Sequence, residues 1–79
     1  MRIDKFLKNS RLIKRRTVAK EACDKGLVKI NDKVAKAGDE VSVDDIIILT
    51  LGSNEIKVRV KDISEVNSKA LAETLYERI

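Results

Sequence analysis

The chain has 79 residues and a net charge of +4, with no histidine, no proline and Cys23 as its only cysteine. This length provides for one small domain, and the composition excludes disulfide bracing, a soft-metal site and catalysis by a histidine base. Charge is segregated: twelve Lys and Arg stand against four acids over residues 1 to 36, a net +8, and five stand against nine over residues 37 to 79, a net −4.

A short first helix is predicted at the start of the chain. Ile3, Phe6 and Leu7 recur at helical spacing, which predicts a helix over residues 3 to 9 with these side chains in the core. Turn-forming residues follow, so we expect a connection that runs to about Lys14.

A second helix is predicted over residues 15 to 25. Gly26 supplies the left-handed residue that commonly ends a helix. The apolar side of this helix consists of Val18, Ala19, Ala22 and Cys23. We therefore expect Cys23 to be a small core residue rather than a redox site.

The next part of the chain predicts a small antiparallel sheet. An apolar run over residues 27 to 30 returns over residues 33 to 35 through a two-residue turn. Residues 46 to 51 form a longer apolar run, and residues 55 to 62 alternate between apolar and charged side chains, so these two segments are expected to pair as a hairpin.

A closing helix is predicted over about residues 68 to 79. Its core-facing side chains are expected to be Ala70 or Leu71, Leu75 and Ile79. The predicted fold class is therefore α+β, with two N-terminal helices on a small antiparallel sheet and a C-terminal helix. We expect a single domain over residues 1 to 79.

Positive charge is concentrated at the start of the second helix. Arg15 and Arg16 lie in its first turn, where the helix dipole makes each cation unfavourable by about 0.3 to 1 kcal/mol. Because the free N–H groups of that turn attract anions, cations placed there favour a phosphate site. Arg16 is the strongest candidate, since Lys20 lies one helical turn away and both can contact neighbouring phosphates. With only two aromatic residues, backbone contacts to structured RNA are expected rather than base stacking.

Three blocks of the sequence resemble the S4 RNA-binding domain, a small αL fold. They are RIDKFL from residue 2, RLIKRRTVAK from residue 11 and GLVKIN from residue 26, and they match the order and spacing of the family's hallmark. The resemblance covers about the first 60 residues. Two positions depart from the family pattern: Leu27 stands where many members have a basic residue, and Asn31-Asp32 replaces a common Asn-Gly turn.

The short length and the closing helix make the chain similar, within that family, to the RqcP proteins of bacterial ribosome-associated quality control. The resemblance implies binding to large-subunit rRNA and peptidyl-tRNA on obstructed large ribosomal subunits, with the tRNA stabilised in the P-site region. It also implies an RqcH-type tailing factor, which adds alanine tails to stalled nascent chains, as a partner. The family's RNA-facing positions correspond here to Arg2, Lys5, Arg11, Lys14, Arg15, Arg16, Thr17 and Lys20.

Other roles stay open for some of these residues. The cations of the second helix also fit a solvated helix face. Thr17 fits a capping or packing role as well as an RNA contact. Asp4 is expected to orient a neighbouring base such as Arg15 or Lys8, because a carboxylate repels phosphate. No catalytic residue, metal ligand or cofactor is expected.

Three alternative functions follow from the same sequence. A DNA-binding module would place the second helix in the major groove, although that helix has few of the side chains that read base edges. The fifteen-kilodalton heat-shock type of S4 protein also acts on blocked large subunits but has a longer basic C-terminal tail. An accessory domain of a modifying enzyme or synthetase is the third. We expect a monomeric, non-enzymatic, cytoplasmic and ribosome-associated protein with no membrane partner.

Overall fold

The computed structural model describes residues 1 to 65 and 68 to 79. Over these residues the chain forms three α-helices and one five-stranded antiparallel sheet, which confirms the α+β class. The elements are α1 (Ile3–Asn9), α2 (Arg16–Asp24), β1 (Val28–Ile30), β2 (Lys33–Val34), β3 (Ile46–Leu51), β4 (Asn54–Val60), α3 (Lys69–Ala72), a 3-10 turn (Glu73–Leu75) and β5 (Tyr76–Arg78). The strand order is β2-β1-β3-β4-β5.

The core lies between the helices and one face of the sheet. Strand register places Ile47 opposite Val58 and Val28 opposite Leu49. These side chains are buried in one apolar cluster with Phe6 and other residues of α1 and α2. Paired residues of neighbouring strands point to the same side, so the alternate positions form the outer face of the sheet.

The outer face is partly polar. Lys29 and Lys57 both pair in register with Ile48, and both are exposed. The helices therefore cover only one side of the sheet, and cations such as Lys57 lie on the side away from them. This separation makes Lys57 a useful control position for any property of the helical surface.

The turn between β1 and β2 keeps its expected geometry despite lacking glycine. Asn31 and Asp32 have φ values of 50° and 68°, which are the left-handed values that a two-residue hairpin turn requires. Asn and Asp tolerate this region better than other side chains. The Asn31 side chain also accepts a hydrogen bond from the backbone N–H of Ile46 at 3.0 Å, which ties the turn to β3.

The predicted C-terminal helix is present but much shorter than expected. It ends at Ala72, and the chain then forms the 3-10 turn and β5, which pairs with β4 through Val60 to Tyr76 and Val58 to Arg78. The physical reason is the edge of β4, whose backbone groups would otherwise lack partners. Residues 76 to 78 therefore pair as a strand with β4, although their sequence has helical spacing.

The inward residues of this segment differ accordingly. Leu75 is fully buried as expected, but Leu71 is 54% exposed and Ile79 is 62% exposed. Ala70 is exposed too, and its neighbour Ala72 is buried instead. The segment is therefore anchored by Ala72, Leu75 and strand pairing rather than by a helical stripe. No helix in the described part of the chain is long and apolar enough to cross a membrane.

Candidate nucleic-acid interface

The start of α2 is an uncapped, positively charged helix end. Arg15 occupies the cap position in an extended conformation, and its side chain makes no capping hydrogen bond. No acidic residue lies in the first turn. The N–H groups at this end and the exposed side chains of Arg15 and Arg16 therefore present positive charge to the same region of solvent.

A buried carboxylate holds two of the predicted RNA-binding arginines. The Asp4 side chain is only 4% exposed, and its oxygens lie 3.3 Å from Arg16 Nε and 3.4 Å from Arg2 Nε. The backbone N–H of Lys5 also donates to Asp4 Oδ1 at 2.8 Å. Asp4 thus links the start of α1 to the start of α2 and fixes both guanidinium groups relative to each other.

The structure corrects the expected partner of Asp4. The sequence suggested Arg15 or Lys8, whereas the carboxylate contacts Arg2 and Arg16. The difference arises because α1 and α2 pack together at their N-terminal ends, a tertiary arrangement that helical spacing alone does not specify. Arg2 and Arg16 remain 49% exposed, so each keeps donors available for a ligand.

The other predicted cations form a connected surface with this pair. Arg11 and Lys14 line one groove, and Lys14 and Arg15 line a second. Lys20 is exposed one helical turn beyond Arg16. We call the whole set the α1–α2 basic surface: Arg2, Lys5, Arg11, Lys14, Arg15, Arg16 and Lys20.

Lys5 and Thr17 are the two predicted contacts with the weakest structural support. Lys5 is partly buried and pairs with Glu65, and this hydrogen bond and charge lower the pKa of the Glu65 carboxyl. Thr17 is exposed and is the second residue of α2, whose cap position is Arg15, so the structure gives it no capping role. Its hydroxyl is open to solvent beside Arg16.

An apolar surface beside the cations is a feature that sequence reasoning missed. Leu12, Val18 and Leu51 line an open groove of about 410 Å³ together with Lys14 and Arg15. Val18 is 44% exposed, although its helical spacing predicts a core position. The Leu51 contribution comes from the end of β3, so no local pattern in the first 36 residues reveals this groove.

Cys23 has the properties of a structural thiol. It is buried on α2, and burial, followed by the nearby negative charge of Asp4, raises its pKa to about 11. A thiol with so high a pKa is protonated at neutral pH and is a poor nucleophile. Residues 1 to 65 and 68 to 79 contain no group of three or more His, Cys, Asp or Glu arranged to hold a metal ion.

Comparisons with known proteins agree with this geometry. A family model described as "S4 domain" matches residues 1–47. The chain is 48% identical over 77 residues to the RQC P-site tRNA stabilizing factor of Halalkalibacterium halodurans, covering 98% of this chain and 88% of that protein. It is 43% identical over 79 residues to the protein of the same name from Streptococcus pneumoniae, covering 100% of this chain and 90% of that one.

A solved structure has nearly the same fold. The trimeric heat shock protein 15 of Vibrio cholerae superimposes with a TM-score of 0.93 at 29% identity, covering all of this chain and 81% of that one. The matched S4 segment contains the whole α1–α2 basic surface, whereas the sheet hairpin of β3 and β4 and the C-terminal segment lie largely outside it.

Proposed function

The chain belongs to the S4 domain family, and we propose that it binds structured rRNA and tRNA on obstructed large ribosomal subunits. There it stabilises peptidyl-tRNA in the P-site region while an RqcH-type factor adds alanine tails to the stalled nascent chain. The names of its close relatives, RQC P-site tRNA stabilizing factors, support this role. The protein acts in the cytoplasm, as a ribosome-associated factor.

The observation that carries the proposal is the Asp4 arrangement at the start of α2. A buried carboxylate orders two half-exposed arginines beside an uncapped helix end, and the first turn of α2 contains no acidic residue. Ordered guanidinium groups bind phosphate in a bidentate manner and lose less side-chain freedom on binding than mobile ones. Such a surface favours the fixed phosphate geometry of folded RNA.

The proposed role is binding, without catalysis. The chemistry that the α1–α2 basic surface offers is positive charge and hydrogen-bond donation, and the buried carboxylate of Asp4 is engaged by two of its arginines. These groups position phosphates and do not abstract protons or attack bonds. We propose a monomer as the active form, and light scattering of the purified chain would test this against the trimer of the Vibrio relative.

The heat-shock type of S4 protein is the second candidate function. The TM-score of 0.93 to heat shock protein 15 favours it, because the two chains share a fold over the full length of this one. Both candidates require binding to blocked large subunits, and they differ in dependence on the tailing factor. With the RqcH-type factor present, deleting this protein would reduce alanine tailing of stalled nascent chains in the first case and leave tailing unchanged in the second.

Charge reversal and sedimentation test the proposed function. Arg15 makes no ion pair with any described residue, so Arg15→Glu reverses a charge without disrupting the fold. Lys57→Glu makes the same charge change on the outer face of the sheet. We expect Arg15→Glu to lose co-sedimentation with large subunits carrying peptidyl-tRNA, while Lys57→Glu retains it. If both variants lose co-sedimentation equally, or if both retain it, the α1–α2 basic surface is rejected as the binding site.

A further inference from the structure

A groove between the N-terminal helices and the C-terminal segment is lined mainly by cations. It is open, has a volume of about 540 Å³, and is bordered by Lys8, Asn9, Arg11, Lys14 and Lys69. Four of these five described lining residues are positively charged, and none of the five is acidic. Lys8 and Lys69 lie outside the set of RNA-binding residues that the sequence predicts.

These four cations lack internal partners in the described part of the chain. Arg2 and Arg16 pair with Asp4, and Lys5 pairs with Glu65, but no ion pair engages a groove cation. Lys8 has an internal explanation, because a cation in the last turn of α1 suits the helix dipole. The convergence of the other three raises the local positive potential, which attracts an anion.

Arg11, which borders the groove, has an unusual backbone conformation. Arg11 has a φ of 61°, a left-handed value that glycine or asparagine adopts more easily than arginine. It follows Ser10, the C-cap of α1, and its N–H donates to the carbonyl of Lys8 at 3.1 Å. Glycine is the usual residue at such a position, and here an arginine occupies it and borders the groove.

Lys69 brings a cation from the acidic part of the sequence to the groove. Residues 62 to 77 contain Asp62, Glu65, Glu73 and Glu77, and Lys69 is the single basic residue among them. It lies in the first turn of α3, which Ala72 and Leu75 anchor to the core. The fold therefore holds this lysine opposite Arg11 and Lys14, although 55 positions or more separate them in sequence.

We propose that this groove is a second phosphate-binding site, which takes a backbone phosphate of the same folded RNA that the α1–α2 basic surface binds. The inference rests on the proposed function. The occupant is sugar-phosphate backbone, because the described lining residues offer four cationic donors and one amide but no aromatic side chain on which a base could stack. Shared residues Arg11 and Lys14 make the two surfaces continuous, and α3 becomes part of the RNA interface.

Removal of single charges tests the groove. Lys8→Gln and Lys69→Gln each delete one cation at an exposed position, and Lys57→Gln is the matched control on the outer face of the sheet. For each, the dissociation constant for large subunits carrying peptidyl-tRNA and for purified large-subunit rRNA is measured over a series of salt concentrations. Thermal unfolding of each variant shows that folding is retained.

We expect Lys69→Gln and Lys8→Gln each to weaken binding by about threefold to tenfold and to lower the salt slope by about one phosphate contact. Lys57→Gln is expected to match the wild type in both quantities. If Lys69→Gln behaves like Lys57→Gln while Arg15→Glu loses binding, the groove proposal is wrong and the proposed function stands. If the wild type binds neither obstructed subunits nor rRNA, both are wrong.

Discussion

Replacement of Asp4 by asparagine removes the charge that joins Arg2 to Arg16 while keeping the shape of the side chain. Truncating one partner of a fully buried ion pair costs about 3 to 5 kcal/mol, because the other charge stays buried. Here both arginines are 49% exposed and remain hydrated, so we expect a smaller loss of about 1 to 2 kcal/mol. For a domain of this size that corresponds to a fall in Tm of about 4 to 16 °C.

The effect of Asp4→Asn on RNA binding distinguishes attraction by net charge from ordering of the arginines by Asp4. Asp4→Asn raises the net charge from +4 to +5, and attraction by net charge alone would therefore strengthen binding. If Asp4 instead orders the two arginines, its loss frees two long side chains and weakens binding by about tenfold. Fluorescence anisotropy with a folded rRNA fragment, at a temperature where both proteins are folded, measures the change.

Glu21→Gln is the matched control for Asp4→Asn. Glu21 is exposed on α2 and forms no ion pair within residues 1 to 65 and 68 to 79, so its substitution makes the same charge change without touching the arginines. We expect Glu21→Gln to bind RNA as tightly as the wild type or slightly more tightly. Binding by Asp4→Asn that equals or exceeds that of Glu21→Gln would refute the positioning role of Asp4.

Three further outcomes are expected. RNA affinity should fall steeply with salt: if four or more phosphates are neutralised, the slope of log K against log salt concentration is about −3 or steeper. An affinity that does not change with salt concentration would reject the electrostatic basis of binding. Cys23 should resist alkylation at pH 7.5 unless the chain is unfolded, and rapid alkylation of the native protein would contradict its burial. Because the native pKa of Cys23 is raised to about 11, its contribution to the free energy of unfolding, measured against Cys23→Ala, should be full below about pH 9 and decline as the pH rises towards 11. Leu75→Ala should cost about 2 to 5 kcal/mol by thermal unfolding, and Leu71→Ala close to nothing, since only Leu75 is buried; equal costs would contradict the observed C-terminal segment.

Local patterns were sufficient to predict most of the fold. Helical spacing located all four ends of α1 and α2 to within one residue, and alternation located the β3–β4 hairpin. The two-residue turn at Asn31 and Asp32 was also predicted, because Asn and Asp accept left-handed backbone angles. These features depend on interactions between residues close in sequence.

The features that sequence reasoning missed depend on distant contacts. The segment after Ala72 has helical spacing, yet it pairs as β5 because the edge of β4 offers backbone partners. The partners of Asp4 were misassigned for a similar reason, since the packing of α1 against α2 decides which arginine reaches it. Lys69 joins Arg11 only through the fold, so no spacing rule could have grouped them.

A structure of the chain bound to a large ribosomal subunit that carries peptidyl-tRNA tests the central claim most directly. The claim is that Arg2 and Arg16, which Asp4 orders, and the neighbouring Arg15 hold the backbone of folded RNA. The expected result is that guanidinium nitrogens of Arg2, Arg15 and Arg16 lie within hydrogen-bond distance of rRNA or tRNA phosphates. A complex in which these side chains face open solvent, while the outer face of the sheet contacts the subunit, would contradict it.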